Sequence, residues 1–402
     1  MTNPTQSIQG SRSMDEVPKA DGVTKADSAR KPDSTATVAP AADERVRKVS
    51  AWKRMLHRPE LGALSGAVLV FVFFFLTAGD SGMFASDGIM NWTTVSAQLG
   101  LIAISACLLM IAGEFDLSIG SMIGFAGMMM TIPAVYWGWP VWLAILFAFT
   151  GAMFIGYLIG YIVVKTGLPS FIVSLAFLFI LRGLTIALSI LFTNRTIVSG
   201  VNNYSEGDWL AAAFGGTVGK GLFVWLADMG IISSYNDGTP VVTGVPMVIV
   251  WCFLLAVISS WVLLRTKYGN WIFATGGDSK AARNVGVPVD KVKISLFMFT
   301  AFTATVYAAC QVFEFGSASA DRGVLKEFEA IIAVVIGGAL LTGGYGSVIG
   351  ACLGALLFGV VQMGIFFTGI DSDWFRVFLG SMLLIAVLFN NYIRKKVTEA
   401  KH

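Results

Sequence analysis

Residues 168–184 read LPSFIVSLAFLFILRGL, and this stretch decides the architecture. It carries one charge, Arg182, in an otherwise apolar run that continues to Thr193. A helix needs roughly 20 predominantly apolar residues to cross about 30 Å of hydrocarbon. Working outward, comparable runs recur on both sides. They are Leu61–Gly79, Thr93–Ala112, Leu117–Trp137, Val141–Val164, Pro169–Thr193, Gly244–Leu264, Ile294–Phe315, Ala330–Leu341, Ser347–Phe367 and Trp374–Asn390. Together they predict an all-α, polytopic helical membrane protein with about ten transmembrane segments. Ala330–Leu341 is short and glycine-rich, which predicts a broken or tilted span. Gly221–Ile232 contains Asp228 and is too short to span, so it is expected outside the membrane.

Composition agrees. Of the 402 residues, 55% are hydrophobic and 13% charged, with a mean hydropathy of +0.73. Soluble domains carry about 25% charged residues. The 44 glycines suit close helix packing in lipid. Cys107, Cys252, Cys310 and Cys352 lie in apolar runs without CxxC spacing and read as small buried hydrophobes. The two histidines, His57 and His402, are near the chain ends, which argues against a histidine-based metal or catalytic site. No phosphate-binding G-x-x-x-x-G-K-[ST] loop occurs, and Gly219-Lys220-Gly221 fails at the Ser/Thr position. P-loop ATP hydrolysis by this chain is excluded, and no catalytic, cofactor or metal site is expected.

Charge placement sets the orientation. With the N-terminus inside, the inner segments hold about 22 of the 28 Lys and Arg residues, and the outer ones hold Arg195, Lys220, Arg322 and Lys326. Such asymmetry marks the cytoplasmic side. It predicts an inner-membrane protein with both termini cytoplasmic. Residues 1–58 read as a disordered basic cytoplasmic tail, 59–394 as the transmembrane domain and 395–402 as a cytoplasmic tail. The tail lacks the early apolar stretch of a signal peptide. Its basic cluster, Arg45 to Arg58, reads as a membrane-lipid anchor, not a nucleic-acid site.

Several local features stand out. The loop Arg265–Lys293 contains DSKAARNVG, in which Asp278 or Ser279 caps a short helix over Lys280–Val285 and Gly286 ends it. Its small face, Ala281 and Ala282, suits docking into a partner's cleft; solvated filler is the bland reading. AGEFDLSIGSMIGFAGM, Ala112–Met128, interrupts a long uncharged region with Glu114 and Asp116, followed by Ser118 and Ser121. These acids form either a cytoplasmic turn or part of a pathway. Arg182, within its span, demands a partner, a backbone carbonyl cluster or a water-filled route, with Glu114, Asp116 and Glu314 as candidate partners; Gln362 is a further polar residue in an apolar run. Finally, Gly120-Ser-Met-Ile-Gly124 is echoed by Gly346-Ser-Val-Ile-Gly350, which suggests a parallel repeat and supplies GxxxG packing faces.

The order GEFDLSIGS (113–121), LPSFIVSLAFLFILRGL (168–184), ATGGDSKAARNVGVPVDKVKI (274–294) and FEAIIAVVIGGALLTGGYGSVIGACLGALLFGV (328–360) resembles the permease subunits of bacterial monosaccharide ABC importers of the ribose and xylose type. The resemblance runs from about Leu61 to Arg394. It implies an ABC importer permease fold and a permease homodimer. It also implies a cytoplasmic ATPase that holds ATP and Mg, and a periplasmic sugar-binding protein. Gly276, Gly277, Ala281, Ala282 and Gly286 match the family's ATPase-coupling segment, which also contains Asp278. The candidate path or gating residues are Glu114, Asp116, Ser118, Ser121, Arg182, Glu314 and Gln362. An acid before Asp-Leu-Ser and the long Asn194–Thr243 stretch point toward the xylose-type members. The alternatives are an ion-coupled secondary transporter, an ABC permease for a polyol or nucleoside, and a membrane scaffold or receptor that moves nothing.

Overall fold

Proline and left-handed residues punctuate the chain. Pro140, Pro169, Pro246 and Pro288 each stand immediately before a helix, where a missing N–H costs nothing. A computed structural model describes residues 59–371, 373–382, 384 and 388. The expected tails, 1–58 and 395–402, lie outside the described residues.

The helices are α1 (Pro59–Ala78), α2 (Ser86–Ile111), α3 (Ile119–Tyr136), α4 (Val141–Thr166) and α5 (Ser170–Thr193). They are followed by α6 (Asn202–Ser205), α7 (Trp209–Gly215), α8 (Lys220–Asp228), α9 (Met247–Arg265), α10 (Lys267–Gly277) and α11 (Ser279–Asn284). The last with described bounds are α12 (Val289–Phe315), α13 (Lys326–Ile336) and α14 (Val348–Phe367). Residues 374–382, 384 and 388 are helical, and the rest of the tenth predicted span, Trp374–Asn390, lies outside the described residues. Two short antiparallel pairs tie the connections. β1 (Ile197–Ser199) pairs with β4 (Ser317–Ser319), and β2 (Thr217–Val218) pairs with β3 (Val245–Pro246).

Seven of the ten predicted spans are helices long and apolar enough to cross a membrane: α2, α3, α4, α5, α9, α12 and α14. Helix α1 coincides with the first predicted span. Helix α13 has 11 residues, so the eighth predicted span is half a crossing. Helix α8 has 9 residues, too few to span.

Burial separates two classes of helix. In α2, α3 and α12 the apolar windows are 83%, 78% and 72% buried, whereas in α5 and α9 they are 28% and 22%. The first group forms the centre, with α12 packed against α2, α3 and α4, and α14 against α1 and α2. The second group exposes Phe179, Leu191, Phe253 and Trp261. Such faces suit lipid or another apolar surface.

The GxxxG face of α3 packs against the turns at 320–325, not a second long helix. A Cβ at Gly120 would lie 2.4 Å from the Gly323 carbonyl oxygen, and one at Gly124 would lie 2.9 Å from that of Ala320. Residues 318–325 therefore run antiparallel along α3 before α13 begins. Irregular backbone at membrane depth is tolerated only where protein covers it. Glycine permits that cover by letting the two backbones touch.

Candidate functional site

Two breaks in the bundle meet the Arg265–Lys293 loop. The first, Ala112–Ser118, separates α2 from α3; the second, Gly337–Ser347, separates α13 from α14. Each contains or adjoins one copy of the sequence echo. Gly276, at the end of α10, lies directly against both. A Cβ there would stand 1.8 Å from the Ile111 carbonyl oxygen and 2.7 Å from the Gly344 nitrogen. Gly344 N–H donates to that same Ile111 carbonyl at 2.8 Å. A Cβ on Gly343 would lie 2.8 Å from the Gly113 Cα. Only glycine fits this junction, where α10 contacts both breaks at once.

The loop holds two helices where the sequence predicted one. Helix α10 was missed because its apolar residues and Gly269 resemble irregular loop. Thr266 caps it by accepting from the Gly269 N–H at 3.2 Å. Asp278, not Ser279, caps α11, with Oδ1 accepting from the N–H groups of Lys280 at 2.9 Å and Ala281 at 3.0 Å. Those bonds hold the Asp278 carboxyl below the usual carboxylate range. The Ser279 hydroxyl instead donates to the Thr275 carbonyl at 2.6 Å. Gly286 has φ of +87°, the left-handed stop expected of it. Ala282 is buried within the chain, which corrects its assignment to an exposed docking face. Ala281 and Gly277 remain exposed, and Val285 is 79% exposed.

At the first break, Glu114 is buried and pairs with Lys293 on α12. Asp116 is buried too. Its Oδ1 accepts from the Ser118 N–H at 2.9 Å and the Ser118 hydroxyl at 2.5 Å, and its Oδ2 from Thr300 on α12 at 2.5 Å. Ser170 and Ser174 of α5 accept from the N–H groups of Phe115 and Leu117, both at 3.0 Å. The break is thus a satisfied, buried turn anchored to α5 and α12. Ser121 is buried, and its Oγ has no hydrogen-bond partner among the described residues.

The other candidates do not converge. Arg182 is half-buried and forms no ion pair with Glu114, Asp116 or Glu314 among the described residues. The carboxylate that feels its field is Glu327. Glu314 is exposed at the far end of α12, within the field of Arg322. Gln362 is half-buried on α14, with its Oε1 unpartnered.

Sequence reasoning missed residues 322–329, because Arg322 and Lys326 were assigned to an exposed loop. Both are half-buried. Arg322 donates to the Ser317 carbonyl at 2.6 Å and the Gln311 carbonyl at 3.3 Å, and lies 5.0 Å from the Phe315 ring centroid. Lys326 pairs with Glu329, which is buried. Glu327 is also buried, its Oε2 unpartnered and tight against Gly120. Glu327 had no visible signal because its cover comes from Gly120 on α3, far away along the chain.

The described residues form a discontinuous bundle in which seven helices are long and apolar enough to cross a membrane and two buried acids, Glu114 and Asp116, sit at the first break. The chain belongs to the family described as branched-chain amino acid transport system / permease component, which matches residues 88–387. It is 28% identical over 367 residues to the xylose transport system permease protein XylH of Haemophilus influenzae, covering 82% of this chain and 96% of that one. It is 30% identical over 341 residues to the probable ABC transporter permease protein y4mJ of Sinorhizobium fredii, covering 85% and 91%. The ribose import permease protein RbsC of Escherichia coli is 29% identical over 328 residues, covering 81% and 92%. No solved structure matches the chain.

Proposed function

We propose that this chain is the membrane-spanning subunit of an ATP-driven importer for a monosaccharide, a pentose or hexose. The carrying observation is similarity along nearly the whole membrane domain to permeases named for xylose and ribose. The family's description names branched-chain amino acids, but the relatives whose names give a solute name xylose, fructose or ribose. A cytoplasmic ATPase holding ATP and Mg supplies the work, and a periplasmic sugar-binding protein supplies the solute. The membrane unit is a homodimer in the inner membrane, with both termini and the Arg265–Lys293 loop cytoplasmic. ATPase movement enters at α10 and α11 and reaches the helix breaks through Gly276.

Reconstitution tests this. The chain is combined in liposomes with the ATPase and binding protein encoded beside it, and labelled D-xylose, D-ribose, D-fructose and leucine are offered. ATP-dependent uptake of one sugar, absent without either partner, is expected. Uptake of leucine alone, or proton-coupled uptake without the ATPase, overturns the reading. The second outcome favours a secondary transporter, for which buried Asp116 and Glu327 are suitable groups.

A further inference from the structure

Helices α4 and α5 both pack along α3 but touch each other far less. A groove lies between them. Its floor is α3, through Phe125, Met128 and Ile132, and its walls are Phe147 of α4 with Leu188 and Phe192 of α5. The floor residues recur at steps of three and four, and so do the wall residues of α5, so the groove runs along the helix axes. From Phe125 to Trp137 it is about 18 Å long at the rise of an α-helix. Its volume is about 160 Å³.

The lining is apolar. Its one hydroxyl, on Thr185, already donates to the Leu181 carbonyl of its own helix at 2.6 Å. An apolar space of about 150 Å³ stays dry and accepts an apolar guest. The mouth opens away from the bundle centre. On the floor Met128 and Ile132 are 3% and 5% exposed, whereas Phe147, Trp137 and Phe192 on the rim are 39%, 45% and 46% exposed. The floor helix is a central one, and the wall helices are poorly covered by the chain. The groove therefore faces what surrounds the bundle, which along spanning helices is hydrocarbon. Toward the middle of the span the α4 wall closes, since a Cβ at Gly151 would lie 2.4 Å from the Met129 Cε. The groove thus occupies the half of the membrane in which α3 ends and α4 begins.

A second observation concerns its outer end. Aromatic rings gather there: Trp137 lies 5.4 Å from Phe192 and 5.6 Å from Trp139, and Trp139 lies 5.5 Å from Phe147, between ring centroids. Tryptophan concentrates at the level of lipid headgroups. Arg195 follows Phe192 by three residues. The Ser189 and Thr193 hydroxyls donate to its carbonyl and hold it at the end of α5. Its side chain is exposed and forms no ion pair among the described residues. A cation so placed attracts an anionic headgroup.

We infer that this groove is a binding site for an anionic phospholipid, with one acyl chain between α4 and α5 and the headgroup beside Arg195. An acyl chain runs along the membrane normal, as the groove does, and it ends in the charge that Arg195 complements. A second copy of this chain fits less well, because side chains leave a helix across its axis and would enter such a groove singly. The inference needs only that the chain spans a membrane, so it stands whatever solute is carried.

The test places the full chain in nanodiscs of equal phosphatidylglycerol and phosphatidylcholine, with one or the other carrying a mid-chain diazirine. Labelled residues are mapped by mass spectrometry after photolysis, with exposed Phe179 of α5 as the reference for bulk lipid. Labelling is expected on the buried floor, at Met128 or Ile132, and more from phosphatidylglycerol than from phosphatidylcholine. Leu188→Trp fills the groove and should lose the floor labelling while Phe179 keeps its own. Leu188→Phe is the milder filling should the first variant not fold. Arg195→Gln should retain the floor labelling and lose the preference for phosphatidylglycerol. A floor left unlabelled beside a labelled Phe179, or floor labelling that survives filling, overturns the site. Equal labelling by both lipids in the wild type, or a preference that survives Arg195→Gln, overturns the headgroup assignment. A disulfide between copies at Phe147→Cys, together with an unlabelled floor, gives the groove to a second copy instead.

Discussion

Asp278 and Arg182 show how differently two charged residues are held. Asp278 is solvent-exposed, and the Ala281 and Lys280 N–H groups that it accepts depress its pKa. A depressed carboxyl contributes stability above its unfolded pKa, and that contribution is lost as pH falls through the folded value. Helix α11 should therefore keep its amide protection through the ordinary carboxylate range near 3.8 and lose it only below. Hydrogen exchange of residues 279–285, corrected for intrinsic rates, measures this. Asp278→Asn, which also caps helices, should keep the protection and abolish the pH step. Arg182 lies inside an apolar helix with its field directed at Glu327. Arg182→Leu removes a costly cation, so membrane abundance should hold while uptake falls. Unchanged uptake at normal abundance would make the residue a structural neighbour only.

At the scale of elements, glycine decides what each helix can touch. Gly276 has no room for a methyl group, whereas a Cβ on neighbouring Gly277 would meet nothing within 4 Å. Overpacking a tight contact costs about 1–3 kcal/mol or forces the backbone to move. Gly276→Ala should cut uptake severely and uncouple stimulated ATP hydrolysis, while Gly277→Ala should transport normally. Equal activity in the two variants would show that the junction does not carry the motion. Docking of α11 is tested at Ala281, since Ala282 is interior. Ala281→Glu should weaken co-purification with the ATPase and leave the melting temperature near wild type.

The whole molecule has a predicted orientation. Lys/Arg asymmetry places the Asn194–Thr243 stretch outside and the Arg265–Lys293 loop inside. Asn203 and Asn284 are both exposed, so single cysteines there report sidedness. In intact spheroplasts an impermeant maleimide should label Asn203→Cys and spare Asn284→Cys; the reverse pattern would invert the topology.

Hydropathy located the spans because lipid imposes one local demand, a run of apolar residues long enough to cross. Capping chemistry located α11 for the same reason: Asp278 and Gly286 act on backbone within a few residues. The family resemblance was legible because its motifs are contiguous in sequence. What the sequence could not supply was any contact whose partners are distant along the chain. Nothing in KEFEA tells that Glu327 lies against Gly120, nor in TGGDS that Gly276 seals two helix breaks at once. Lys326 looked solvated because charge near a turn usually is, yet tertiary packing half-buries it beside Glu329. Residue type and spacing fix how a segment meets lipid or water, so the sequence by itself determined the membrane class, the seven long apolar helices and the capped loop. Pairing of buried polar groups depends on which helices become neighbours, so only the tertiary structure decided which acids, hydroxyls and glycines form one site.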